Sequence, residues 1–134
     1  FSFYFDFFYS NGVNQKDLNY FKEKLEEEKA RLERELGGLA TKNPENTEDW
    51  IPSYPNFNPQ LADESEKADI FEDFEARYSI ETVLKEKLNE VKAALQIIAK
   101  GTYGICEEDK EPIPKERLKA NPSARFCKKH AHLE

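Results

Sequence analysis

Two long stretches with apolar residues at heptad spacing, followed by metal-ligating residues in pairs two residues apart, predict a mainly α fold. The expected architecture is an antiparallel coiled-coil helical hairpin followed by a small zinc-finger-like module of treble or ribbon type. Composition supports this. The 134 residues are 38% hydrophobic and 35% charged, which suits helices that bury a narrow stripe better than a globule with a thick core.

Residues 1–13 form an aromatic leader, with seven aromatics around Asp6 in the first ten positions. It lacks the basic start and small-residue cleavage site of a signal peptide. It reads as a vector-derived or upstream-translated extension, or as a strand that packs on a neighbouring molecule. An aromatic docking segment is the functional alternative. At the other end, Leu133-Glu134 reads as a cloning scar and is set aside.

The hairpin is expected over 14–100. Asn14 is a good N-cap with Asp17 three residues on, and Leu18, Phe21, Leu25, Leu32, Leu36 and Leu39 form the first seam, interrupted at Glu28 and Lys29. Gly37-Gly38 weakens this helix and ends or bends it there. An irregular connection spans 43–62, where Pro44, Pro52, Pro55 and Pro59 each remove an amide donor. Trp50, Tyr54 and Phe57 within it predict a locally packed loop. Between residues 43 and 75 there are ten acids and one base, Lys67.

The second helix is expected to start at a capping box, Asp63 with Glu66, and to run to Lys100 with Gly101 as its stop signal. Its seam is Leu84, Leu88, Val91, Leu95 and Ile98; Ile70 and Phe74 extend it backwards across an interruption at Arg77 and Glu81. Both stripes read as core packing.

The module over 101–132 carries Cys106-x2-Asp109-x17-Cys127-x2-His130. Pairs spaced by two and joined by a loop of this length make a four-ligand zinc site, and Gly104 gives the first knuckle conformational room. Asp109 is an unusual structural ligand. A site that has lost its metal is therefore the competing reading, with the cysteines as small buried hydrophobes and Asp109 and His130 bonded to each other. A Cys106–Cys127 disulfide is a third. Metal loss is the reading that the substituted ligands favour. No organic cofactor is expected, and His132 is given no role.

Tyr103-Gly104-x-Cys106, then Pro112-Ile113-Pro114, Arg117-Leu118, Ala120, Pro122, Ala124 and Cys127, resembles the zinc-finger signature of the DksA/TraR family of bacterial transcription regulators. That family has Cys at the positions of Cys106, Asp109, Cys127 and His130. The resemblance also covers the helical hairpin leading into the finger. It implies a cytoplasmic, non-catalytic protein whose coiled-coil tip enters the secondary channel of RNA polymerase. The family's tip pattern Asp-x-x-Asp-x-Ala is matched by Asp63, Glu66 and Ala68, with Glu66 for the second Asp.

The net charge of −7 argues against direct DNA binding, whose affinity comes mostly from Lys and Arg. No apolar run approaches a membrane span. Two cysteines suit a reducing compartment. Lys115, Arg117, Lys119, Arg125, Lys128 and Lys129 make the finger a basic head, suited to an acidic rim on polymerase. The alternative is a structural protein that self-associates, or pairs with another coiled coil, through the hairpin or the aromatic N-terminus. A zinc hydrolase would need an open metal position and a general base, and no residue is identified as one.

Overall fold

The computed structural model describes residues 13–47, 49–52, 60 and 62–134. The Phe1–Ser10 aromatics, Tyr54, Phe57, Pro55 and Pro59 lie outside them. In order, the elements are α1 (Gln15–Gly37), β1 (Ala40–Lys42), β2 (Trp50–Pro52), α2 (Glu64–Lys100), α3 (Lys115–Ala120) and a 3-10 helix, Lys128–Leu133. The chain divides into two compact units. One comprises Phe1–Ala30 with Asn89–Glu134, and the other is Arg31–Leu88.

The helix boundaries follow from local chemistry. Asn14 Oδ1 accepts the Asp17 amide at 2.9 Å, filling one of the donors that a helix start leaves open. Asp63 and Glu66 form the reciprocal capping box of α2: Asp63 Oδ1 accepts the Glu66 amide at 2.7 Å, and Glu66 Oε2 accepts the Asp63 amide at 3.3 Å. At the far end Gly101, with φ of 79°, closes α2. Its amide bonds Ile98 O at 3.0 Å and the Thr102 amide bonds Ile97 O at 3.2 Å, the paired bonds of a Schellman motif.

In the first unit, Leu18, Phe21 and Leu25 of α1 are buried, as are Val91 and Ala94 of α2 and Tyr103, Ile113, Leu118, Ala124 and Phe126 of the finger. Phe21 is fully buried with its ring 5.8 Å from that of Tyr103. The Tyr103 hydroxyl donates to Pro122 O, and burial pushes its phenol well above the ordinary range. Gly104 has φ of 82°, and a Cβ there would lie 2.6 Å from Val13 Cγ2. The backbone angle calls for glycine, and a side chain there would also displace the Val13 methyl.

In the second unit Leu32, Leu36 and Leu88 are buried with Ala40 and Trp50. The strands pair antiparallel, with Thr41 opposite Ile51 and Lys42 opposite Trp50. Asn43 organises the turn: its Oδ1 accepts the Glu45 amide and its own amide bonds Asp49 O.

Four expectations change. Leu39 is not a seam residue; it is half-buried in the turn after α1, where its amide bonds Leu36 O, and Ala40 in β1 is buried instead. The connection over 43–62 is not wholly irregular, because β2 falls inside it. In the late seam Ala94 is fully buried, whereas Leu84, Leu95 and Ile98 are half-buried. Glu81 does not interrupt the stripe by facing solvent: it is 2% exposed. Lys85, one turn on, lies 3.7 Å from Glu81 Oε1, an ion-pair distance that leaves this buried oxygen without a hydrogen bond.

Candidate metal centre and acidic helix cap

The first ligand pair sits on a tight knuckle. The Lys110 amide bonds Cys106 O at 3.0 Å, with Lys110 at a positive φ of 59°, and the Cys106 amide bonds Glu111 O at 2.8 Å. Ile105 and Pro112 form an antiparallel bridge behind it. The second pair repeats the device, the His130 amide bonding Cys127 O at 3.0 Å. One longer bond links the knuckles directly and a second ties α3 to the second knuckle. The Glu107 amide bonds Arg125 O at 3.0 Å, and Arg117 Nε donates to Phe126 O, next to Cys127, at 2.9 Å.

All four predicted ligands converge. Their donor atoms lie within 4.8 Å of one another, with both cysteines buried and Asp109 and His130 half-buried. His130 Nδ1 is 3.7 Å from Cys106 Sγ, 3.2 Å from Cys127 Sγ and 3.4 Å from Asp109 Oδ2, and Cys127 Sγ is 3.5 Å from Asp109 Oδ2. Donors arranged tetrahedrally around zinc, at about 2.3 Å for sulfur and about 2.0–2.2 Å for nitrogen and oxygen, stand about 3.3–3.8 Å apart. The donor set and spacing fit a zinc ion. Both cysteines are free thiols, so the disulfide reading does not describe this structure.

These contacts shift the cluster's titrations in opposite directions. The Glu111 amide, followed by the two thiols and His130, holds the Asp109 carboxyl below its ordinary value. Burial pushes the Cys127 thiol up, against the opposing amides of His130 and Lys129. The thiol then donates to Asp109. Zinc would replace those protons, since its sulfur ligands are thiolates.

The basic head is less free than its composition suggests. Lys115 Nζ is 2.9 Å from Asp17 Oδ2, Arg125 is 3.9 Å from Glu107, and Arg117 pairs with the Glu134 carboxylate. Lys119, Lys128 and Lys129 are exposed. Arg117 belongs both to the basic head and to the finger signature. Its bond to the backbone beside Cys127 is a role that no local pattern signals.

In the second unit Asp63 is the N-cap of α2 and Glu66, with Glu64, lies in its first turn, where carboxylates favour the positive end of the helix dipole. Ala68 is exposed on the next turn. A charge cluster that sequence reasoning missed lies further along. Lys85 Nζ donates to Trp50 O at 2.7 Å and lies 2.6 Å from Asp49 Oδ1, tying β2 to α2. The lysine bond, followed by the Trp50 amide, lowers the Asp49 pKa, and Asp49 in turn raises that of Lys85.

A family model of the prokaryotic dksA/traR C4-type zinc finger matches residues 101–129. An uncharacterized protein from Aquifex aeolicus is 36% identical over 127 residues, covering 89% of this chain and 77% of that one. The RNA polymerase-binding transcription factor DksA from Caulobacter vibrioides is 30% identical, covering 84% of this chain and 71% of its own. The solved structure of transcription factor DksA2 from Pseudomonas aeruginosa superposes with a TM-score of 0.67 at 22% identity, covering 89% of this chain and 83% of that one, which shows a shared fold. With two of the four C4 positions occupied by Asp109 and His130, and with relatives matching along most of its length, this chain belongs to the DksA/TraR zinc-finger family.

Proposed function

We propose that the protein is a cytoplasmic, non-catalytic transcription regulator that binds RNA polymerase and presents the start of α2 to the secondary channel. The observation that carries this reading is Asp63-x-x-Glu66-x-Ala68 at the N-terminus of α2, in a chain 30% identical to a polymerase-binding relative. Asp63 and Glu66 are exposed, and each spends only part of its carboxylate on the cap. Their remaining lone pairs and charge can meet cations at a polymerase active site. Cap and charge are compatible roles for one pair of side chains.

In this reading the finger is a scaffold. Cys106, Asp109, Cys127 and His130 would hold the zinc ion, whose contribution is a structural cross-link between the two knuckles. Arg117 and Tyr103 act on the protein side of that link, through their bonds to Phe126 O and Pro122 O. They fix the spacing between the ligand pairs.

The test is binding to core RNA polymerase, with promoter transcription by the holoenzyme measured beside it, for the full chain and for an Asp63→Asn/Glu66→Gln variant. Asn remains a good N-cap and Gln preserves the capping box, so charge is removed while the helix start survives. The expected result is wild-type binding at low salt and a loss of the regulatory effect in the variant. Absence of wild-type binding at low salt would overturn the assignment.

A further inference from the structure

The N-terminal half of α2 carries a feature that the acidic cap does not use. Phe71 is 65% exposed and Tyr78 is 52% exposed. Seven residues apart, they lie on one stripe two turns long. Phe74 is half-buried between them, its ring 6.5 Å from that of Tyr78. Glu64, Glu72 and Glu75 line a shallow groove around Phe71 with Lys67 and Ala68. The one base in that groove, Lys67, lies 3.3 Å from Glu64 and so does not cancel the other two carboxylates.

Single exposed apolar residues are ordinary, but aromatics grouped on one helix face and rimmed by charged groups mark an interaction site. Aromatic anchors ringed by polar groups are also the usual centre of a protein interface. We propose that this stripe is a docking surface for a basic segment of the protein partner. Lys or Arg stems lie along Phe71 and Tyr78, and their charged ends reach Glu64, Glu72 and Glu75. Cation–π attraction and carboxylate pairing act on the same side chains, so the surface selects basic residues with long apolar stems over either feature alone. A second copy of the same face is a poor occupant, because its carboxylates would meet their own kind. The proposal rests on the polymerase reading and deepens it: the cap enters, and the stripe behind it grips a basic wall.

The test uses the full-length chain and core RNA polymerase in equilibrium binding at about 50 mM and about 300 mM salt, conditions that separate screened from apolar contacts. The F71S/Y78S variant is expected to bind at least about ten-fold more weakly at both salts, as for loss of aromatic anchors. E72Q/E75Q is expected to weaken binding about three-fold at low salt and to flatten the salt dependence. Both variants change exposed positions, and an unaltered circular dichroism spectrum checks that α2 persists. If F71S/Y78S binds within about two-fold of a wild type that does bind, the stripe is overturned and the polymerase reading stands. If wild type does not bind, that reading and the proposed occupant both fall. A wild-type dimer that F71S/Y78S converts to monomer would make the occupant a second copy and overturn the proposal as well.

Discussion

The two units fix irregular backbone by different chemistry. In the finger, four donor side chains from two knuckles meet within 4.8 Å, supported by a small core and by Arg117. In the Arg31–Leu88 unit, a single lysine does the comparable work: Lys85 reaches a backbone carbonyl, Asp49 and the buried Glu81. A metal-type cluster concentrates stability in one bond set and collapses when that set is lost. An ion clamp spreads a smaller stabilisation over groups that can partly rearrange.

The largest effect is expected at the cluster. Protein purified without added metal should carry about one zinc per chain, and less than about 0.2 equivalents would reject a high-affinity structural site. A Cys106→Ser/Cys127→Ser variant should lose the metal and the hydrogen-exchange protection of residues 101–130, while β1 and β2 keep theirs. Small zinc fingers gain about 10–16 kcal/mol of apparent free energy from their ion, so even part of that rivals a whole domain's stability.

Next in size is the core beneath the finger. Phe21 is fully buried against Tyr103, so Phe21→Ala should cost about 3–5 kcal/mol in denaturant unfolding. A loss below about 1 kcal/mol would mean that the first turns of α1 are not anchored to this core.

Breaking the clamp should cost less. Lys85→Ala leaves Glu81 buried without its ion partner, for an expected loss of about 1–3 kcal/mol. A second change, Glu81→Leu, should restore much of it by continuing the apolar seam. The pH dependence follows from the two shifts. Asp49 is depressed from its ordinary 3.8, so its contribution is complete above that value and is lost as pH falls through the lower one. Lys85 is raised from 10.5, so its contribution is complete below that value and is lost as pH rises through the higher one. The penalty of Lys85→Ala should therefore be level across about pH 5–9 and shrink in acid, measured by urea unfolding at each pH.

These contrasts also separate what the sequence reveals from what it hides. Both helix starts, the Gly101 stop and the four converging ligands are legible because each depends on residues within a few positions, or on a spacing that a knuckle imposes. The β1–β2 pair is hidden. Its strands are three residues long, too short to show an alternating pattern, and the seven residues between Lys42 and Trp50 carry no short hairpin-turn signal. Glu81 is hidden for another reason. A polar residue in a heptad looks like a gap in the stripe, and only the structure shows it buried with a cation one turn later. Arg117 likewise reads as charge in composition and as a backbone brace in three dimensions.

The smallest effect sharpens the difference between stabilising and functional use of one residue. Asp63 caps α2 through a 2.7 Å bond to the Glu66 amide, so Asp63→Ala should lower stability by about 1 kcal/mol. Asp63→Asn keeps an acceptor at the same place and should cost almost nothing in thermal unfolding. If the carboxylate served only the cap, Asn would also leave polymerase regulation intact. The expected outcome is the opposite: a stable Asn variant with impaired regulation, because the amide retains the hydrogen bond and loses the charge. Asp63→Ala removes cap and charge together, so stability and regulation fall under either role, and the Asn variant is where the two can be told apart.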